Sequence, residues 1–231
     1  VLTEPLLTSR REHGLDLPVL MWRATAPLRS VSSGPLGGGI GVRRWVLNAT
    51  VPMSYAREDP GEHLTELADG LGLDGPGVGL LAGVDVAEVV SRTDAGVRVW
   101  ATVGLGTPVR AAAPAAPAEP AAAPVGPAAP GQRVGTVNIV VYVPARLGDA
   151  ALVNAVATVT EAKAQAIMEL GLAATGTPTD AVTVLCPAEG PEFAYGGPRS
   201  AWGAPMARAV HAAVLAGGAG PVVPWSERLN G

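Results

Sequence analysis

The stretch that decides the fold begins at Gly135-Thr-Val-Asn-Ile-Val-Val-Tyr-Val-Pro144. It continues through Asp149-Ala-Ala-Leu-Val-Asn-Ala-Val-Ala-Thr-Val-Thr-Glu-Ala-Lys-Ala-Gln-Ala-Ile-Met-Glu-Leu170 and closes with Ala181-Val-Thr-Val-Leu-Cys186. Val137 to Val143 is β-rich and nearly all apolar, the pattern of a strand buried on both faces. Pro144 ends it, because proline has no amide to donate. Asp149 is placed to cap a helix from about Ala150 to Leu170, with Gly171 as its stop. Leu152, Val156, Val159 and Ile167 give that helix an apolar side to lay on a sheet. Ala181 to Cys186 reads as a second buried strand. Ser200 is placed to cap a last helix from Ala201 to about Ala216. Strand, helix, strand, helix predicts an α/β fold, with α+β as the alternative.

Working outward, the N-terminal part carries short strand-like runs at Leu17–Trp22, Arg43–Leu47 and Val97–Val103. They predict a mixed sheet rather than a purely parallel one. Asp59, Pro60 and Glu62 have the spacing of an N-cap, a first helical proline and a capping-box acid. Leu64, Leu67, Ala68 and Leu71 then follow with helical period. Between the two parts, Ala111 to Gly131 is almost wholly alanine and proline. Such a stretch forms neither a core strand nor a continuous helix, and the expectation is a mobile loop at 111–131. The whole of 1–231 is read as one domain interrupted by that loop.

Composition excludes several classes. The net charge is −4 and the isoelectric point about 5.4, with no basic run longer than a pair, which argues against nucleic acid and against a polybasic membrane patch. No apolar run approaches the ~20 residues of a membrane span. Arg10, Arg11, Glu12 and His13 interrupt any signal-peptide pattern, so the expectation is a cytoplasmic protein. The single cysteine, Cys186, excludes an internal disulfide and reads as a small buried hydrophobe. His13, His63 and His211 are far apart and no ligand-type spacing joins them, so no metal site is expected. The oligomeric state is left open, a homo-oligomer included.

Polar residues stand out against this apolar background. On the long helix Asn154, Thr158, Glu161 and Gln165 form a second stripe. That stripe is either the solvated side of an amphipathic helix or a projection of Glu161 into a site. The loop Ala173-Ala-Thr-Gly-Thr-Pro-Thr-Asp180 sets Thr175, Thr177, Thr179 and Asp180 around a glycine and a proline at a sheet edge. It is either a plain turn or a set of hydroxyls able to hold a polar ligand or an oxyanion. Thr136 opens a buried strand, and Asn138 inside it needs partners. Asn48 follows a strand and is either a turn former or a donor to the same place. Ser33-Gly-Pro-Leu-Gly-Gly-Gly39 lacks the ending of a phosphate-binding loop. It reads as a tight turn or a close backbone approach to a large flat ligand.

Taken together, Gly135-Thr-Val-Asn-Ile-Val-Val, Thr160-Glu-Ala-Lys-Ala-Gln165 and Ala174-Thr-Gly-Thr-Pro-Thr-Asp-Ala-Val182 resemble the adenosylcobinamide amidohydrolase family. Tyr195-Gly-Gly-Pro198, the helix after Ser200, Asn48 and Thr102-Val-Gly-Leu-Gly-Thr-Pro108 extend the likeness over about Ser30 to Gly218. The resemblance implies hydrolysis of the amide between the corrin propionate and aminopropanol, giving adenosylcobyric acid in cobalamin salvage. The corrinoid is then the substrate, and no protein cofactor is implied. It adds Lys163, Tyr195 and Ser200 to Asn48, Asn138, Thr175, Thr177 and Thr179 as substrate-binding candidates. Trp202 and Tyr195 are candidates for stacking on the corrin.

Two catalytic schemes follow. In one, Glu161 or Asp180 activates water while threonine hydroxyls or Asn138 hold the oxyanion. In the other, Thr136 is the nucleophile. A Gly-Thr opening a buried strand is similar at pattern level to self-processing aminopeptidases of the D-aminopeptidase type and to ornithine acetyltransferases. That resemblance implies a cut between Gly135 and Thr136, with the new α-amine as base. The rival functions are such an aminopeptidase and a corrinoid-binding module without activity.

Overall fold

The computed structural model describes residues 1–12, 14–52, 54–114 and 135–220. His13 and the part of the Ala/Pro stretch from 115 to 131 lie outside the described residues. The elements in order are β1 Leu6–Glu12, β2 Leu15–Ser32, β3 Gly39–Thr50, α1 Pro60–Gly70, β4 Gly77–Ala82, β5 Val90–Asp94, β6 Val97–Val103, β7 Val137–Tyr142, α2 Asp149–Glu169, β8 Ala181–Pro187 and α3 Gly203–Gly218. The strands form one sheet in the order β4-β3-β2-β8-β7-β6-β5, with β1 also paired to β2. Pairs β3–β4 and β7–β8 are parallel and the rest antiparallel. Each parallel pair is joined through a helix, α1 or α2, as parallel neighbours require. The fold is α/β with a mixed sheet, as the strand-helix order predicted.

Side chains alternate across a strand, so each strand feeds two cores. Val137, Ile139 and Val141 of β7 pack with Val182, Val184 and Cys186 of β8 under α2 and α3. On the other face Val140, Tyr142, Trp100 and Leu185 meet Leu20, Trp22, Val46, Val78 and Leu80. Those partners come from strands at opposite ends of the sheet. The sheet therefore curls and closes this inner face on itself. Trp22 of β2 and Trp100 of β6 touch edge to face at 5.9 Å although two strands separate them in the sheet. A break in the β2–β3 register between Arg23 and Leu28 bends β2, which pairs with β1 before the bend and β8 after it. α1 covers the outer side of β3 through Leu64 and Ala68.

Several expected details differ. Leu17–Trp22 and Arg43–Leu47 are parts of much longer strands, and Asn48 lies within β3 rather than after it. Gly148, not Asp149, is the N-cap of α2, and Asp149 instead pairs with Arg29. Asp59 occupies the N-cap of α1 without a capping bond. Its carboxylate is taken by Arg57 at 2.6 Å and held down to about 2 by that bond. Ser200 does bond the start of α3, its Oγ accepting from Gly203 N at 3.0 Å, but the helix begins later than Ala201. No helix among the described residues is long and apolar enough to cross a membrane.

Candidate active site

Because β7 and β8 run parallel, their N-terminal ends lie side by side, and the loop from α2 into β8 returns to the same end. Asp180 ties this end together. Its Oδ1 accepts from Val137 N at 2.9 Å and from the Thr177 hydroxyl at 2.5 Å. Its Oδ2 accepts from Thr177 N at 3.0 Å and from Lys163 Nζ. Lys163 is buried on α2, so the pair binds helix, loop and strand in one knot. Gly176 is needed for it: a Cβ there would lie 2.4 Å from Asp180 Oδ2 and 2.5 Å from Lys163 Nζ. Thr175 takes no part in the knot. Its hydroxyl accepts from Ala111 N at 3.0 Å and holds the strap at Val109.

Alternation separates this knot from a second group. The β6–β7 ladder continues one step beyond the strand, where Gly104 N donates to Thr136 O at 2.9 Å. Thr136 and Asn138 therefore share the inner face, and Val137 takes the helix side. Thr136 is 2% exposed, and its Oγ1 shares a hydrogen bond of 2.8 Å with Oγ1 of the exposed Thr179. Thr179 also donates to the Gly135 carbonyl at 3.4 Å. Further in, Asn138 Nδ2 donates to Asn48 Oδ1 and to the Leu81 carbonyl, both at 2.9 Å. Asn48 Nδ2 donates to Thr102 Oγ1 at 3.1 Å. Ser32 and Thr183 share another buried hydroxyl pair at 2.8 Å. The inner end of the sheet is thus lined by hydroxyls and amides, and the charged pair stands behind it on the helix side.

The structure gathers Thr136, Asn138, Asn48, Thr177, Thr179, Asp180 and Lys163 at one end of the sheet. It does not bring the remaining candidates there. Glu161 is exposed on α2, with no side-chain partner among the described residues. Tyr195 is 76% exposed, and Gly196 beside it packs on α2 at Ala151 and Ala155. Eight residues of helix, roughly 12 Å at 1.5 Å each, separate Ala155 from Lys163. Ser200 is spent on the start of α3, and Trp202 packs edge to face on Phe193 at 5.8 Å. Thr102, Thr183 and Ser32 were not singled out from the sequence as site residues. Their signal was the same as that of Asn138: a polar side chain at the inner-face parity of an apolar strand.

No three metal-ligating side chains cluster among the described residues. His211 bonds Glu169 at 2.8 Å on the surface of α3.

The model of the family described as adenosylcobinamide amidohydrolase matches residues 5–220. The chain belongs to this family. A relative from Methanosarcina mazei named adenosylcobinamide amidohydrolase is 30% identical over 197 residues, 81% of this chain and 88% of its own. One of the same name from Halobacterium salinarum is 34% identical over 192 residues, 81% of this chain and 79% of its own. An uncharacterized protein of Methanocaldococcus jannaschii is 37% identical over 94 residues, 37% of this chain. The matched span of this amidohydrolase includes every strand among the described residues and both groups of candidate site residues. It is an enzyme of the class that hydrolyses amide bonds.

Proposed function

We propose that this amidohydrolase cleaves the aminopropanol amide of adenosylcobinamide, releasing aminopropanol and adenosylcobyric acid for cobalamin salvage, and that the reaction takes place at Thr136. The observation that carries the reading is the division of labour across β7. Asp180 already accepts four donors, so it has no lone pair to spare for activating water and acts as a positioning residue. Glu161 stands outside the cluster. Thr136 is the hydroxyl on the inner face with a fixed backbone and, among the described residues, a single side-chain partner, Thr179. Its Oγ attacks the amide carbonyl, the C–N bond breaks with the proton passing to the departing aminopropanol nitrogen, and water hydrolyses the resulting ester. A neutral lining of hydroxyls and amides suits a large uncharged amide-bearing ligand, and the family name supports the corrinoid as substrate.

Incubation with adenosylcobinamide and chromatography for the two products is the direct test. Thr136→Ala is expected to lower kcat by at least about 10³-fold while the circular dichroism spectrum is unchanged, and Thr136→Ser to keep measurable turnover. Full activity of the alanine variant removes Thr136 from the chemistry.

A second reading of the same threonine concerns its base. Among the described residues no carboxylate or imidazole bonds Thr136 Oγ1, whereas Thr179 Oγ1 reaches both that hydroxyl and the Gly135 carbonyl. Attack of Thr136 Oγ on that carbonyl would convert the peptide bond to an ester. Hydrolysis of the ester would free an α-amine to serve as base. Intact mass decides it: an active species of full length excludes the cut.

A further inference from the structure

Asn138 is 1% exposed, and its Oδ1 is buried with no hydrogen-bond partner among the described residues. Its orientation is not free. The Leu81 carbonyl can only accept, so the atom facing it must be the amide nitrogen. The same nitrogen donates to Asn48 Oδ1, and Asn48 is fixed in turn by donating to Thr102 Oγ1. Three strands, β3, β4 and β6, thereby hold the Asn138 amide with its nitrogen consumed and its oxygen unused. A buried acceptor left unpaired is costly, and such groups in folded proteins call for an explanation. This one sits two residues along the same face from Thr136, whose buried hydroxyl is hydrogen-bonded to that of the exposed Thr179.

Resting on the reading of Thr136 given above, we infer that Asn138 Oδ1 accepts the N–H of the scissile amide. An acceptor-only oxygen cannot hold an oxyanion, which needs donors. It recognises a secondary amide, whose nitrogen carries one hydrogen, and has nothing to offer an ester, whose bridging oxygen carries none. Asn138 is thus a substrate-positioning and specificity residue, and Asn48 and Thr102 act through it. In the substrate complex the amide nitrogen lies between Thr136 and Asn138, with its hydrogen toward Oδ1 and its carbonyl carbon toward Oγ1.

The test is the ratio of kcat/KM for adenosylcobinamide to kcat/KM for the ester in which the same carboxyl is joined to the alcohol analogue. It is measured for the wild type, Asn138→Ala, Asn48→Ala and Thr102→Val. The amide-to-ester ratio is expected to fall at least about tenfold in Asn138→Ala and Asn48→Ala. In Thr102→Val, which keeps shape and loses one hydroxyl, a fall of about threefold is expected. A general loss of packing lowers both substrates together and leaves the ratio in place, so an unchanged ratio in the folded variants overturns the inference. Should the two asparagine variants not fold, Thr102→Val alone decides in the same way. No aminopropanol from wild-type protein would instead overturn the proposed function, a result distinct from hydrolysis with an unaltered ratio.

Discussion

Both oxygens of Asp180 are filled by donors from Val137, Thr177 and Lys163, and the pair with Lys163 is nearly closed to water. Removing one partner of a buried pair strands the other charge. Asp180→Asn should therefore cost about 3 kcal/mol in urea unfolding. Exposed Glu161 has no such role, and Glu161→Gln should stay within about 0.5 kcal/mol and about twofold in turnover. A second buried group, His63, lies between Tyr55 at 3.1 Å and Glu12 at 3.3 Å, with Arg10, Arg57 and Glu66 in its field. Burial lowers its pKa from 6.5, outweighing the opposing pull of Glu12. The unfolded chain then takes up the proton first as pH falls, so His63 contributes stability above pH 6.5 that is lost on acidification. The melting temperature of the wild type should drop more steeply than that of His63→Gln between about pH 7 and 5.5.

At the scale of elements, the loop between α2 and β8 is tightly specified. A methyl at Gly176 would overlap both Asp180 Oδ2 and Lys163 Nζ. Gly176→Ala should destabilise by about 2 kcal/mol, read as a lowered urea midpoint, through the same knot that Asp180→Asn breaks. β7, α2 and β8 were legible in the sequence because long apolar runs and a clear helical stripe admit few alternatives. β1 and β5 were not, since Arg10-Arg11-Glu12 alternates with solvent, Ser91-Arg92-Thr93 is exposed throughout, and neither carries such a run. The capping role read into Asp149 failed because Arg29, from a strand distant in sequence, claims its carboxylate. The threonine loop and Thr136 were visible as a concentration of polar residues. The division between Asp180 on the helix side and Thr136 with Asn138 on the inner side depends on ladder register, which residue types alone do not give. Lys163 shows the same limit: the family likeness offers it as a substrate-binding residue, and only the folded chain places the Asp180 carboxylate against it.

Across the whole molecule, the curl of the sheet makes distant strands neighbours. Trp22 and Trp100 hold the inner core at one level and Asn48 and Asn138 hold it at another. Truncating a tryptophan buried to this degree removes contacts on both sides of the fold. Trp100→Ala should cost about 3–5 kcal/mol, measured by chemical denaturation, and should weaken the site, since Trp100 stands on β6 two residues from Thr102.

The strand order also has a meaning for how the two lengths of chain are related. β6 belongs to the first length and β7 to the second, while β8 from the second is seated against β2 from the first. Each length therefore supplies strands that the other must flank, like the fingers of clasped hands. The pairing along β6–β7 and β2–β8 registers Thr136 against Asn48 and Thr102. Two separately synthesised pieces, one ending at Pro114 and one starting at Gly135, carry complementary edges and so have the means to find each other and rebuild the site without a covalent bridge.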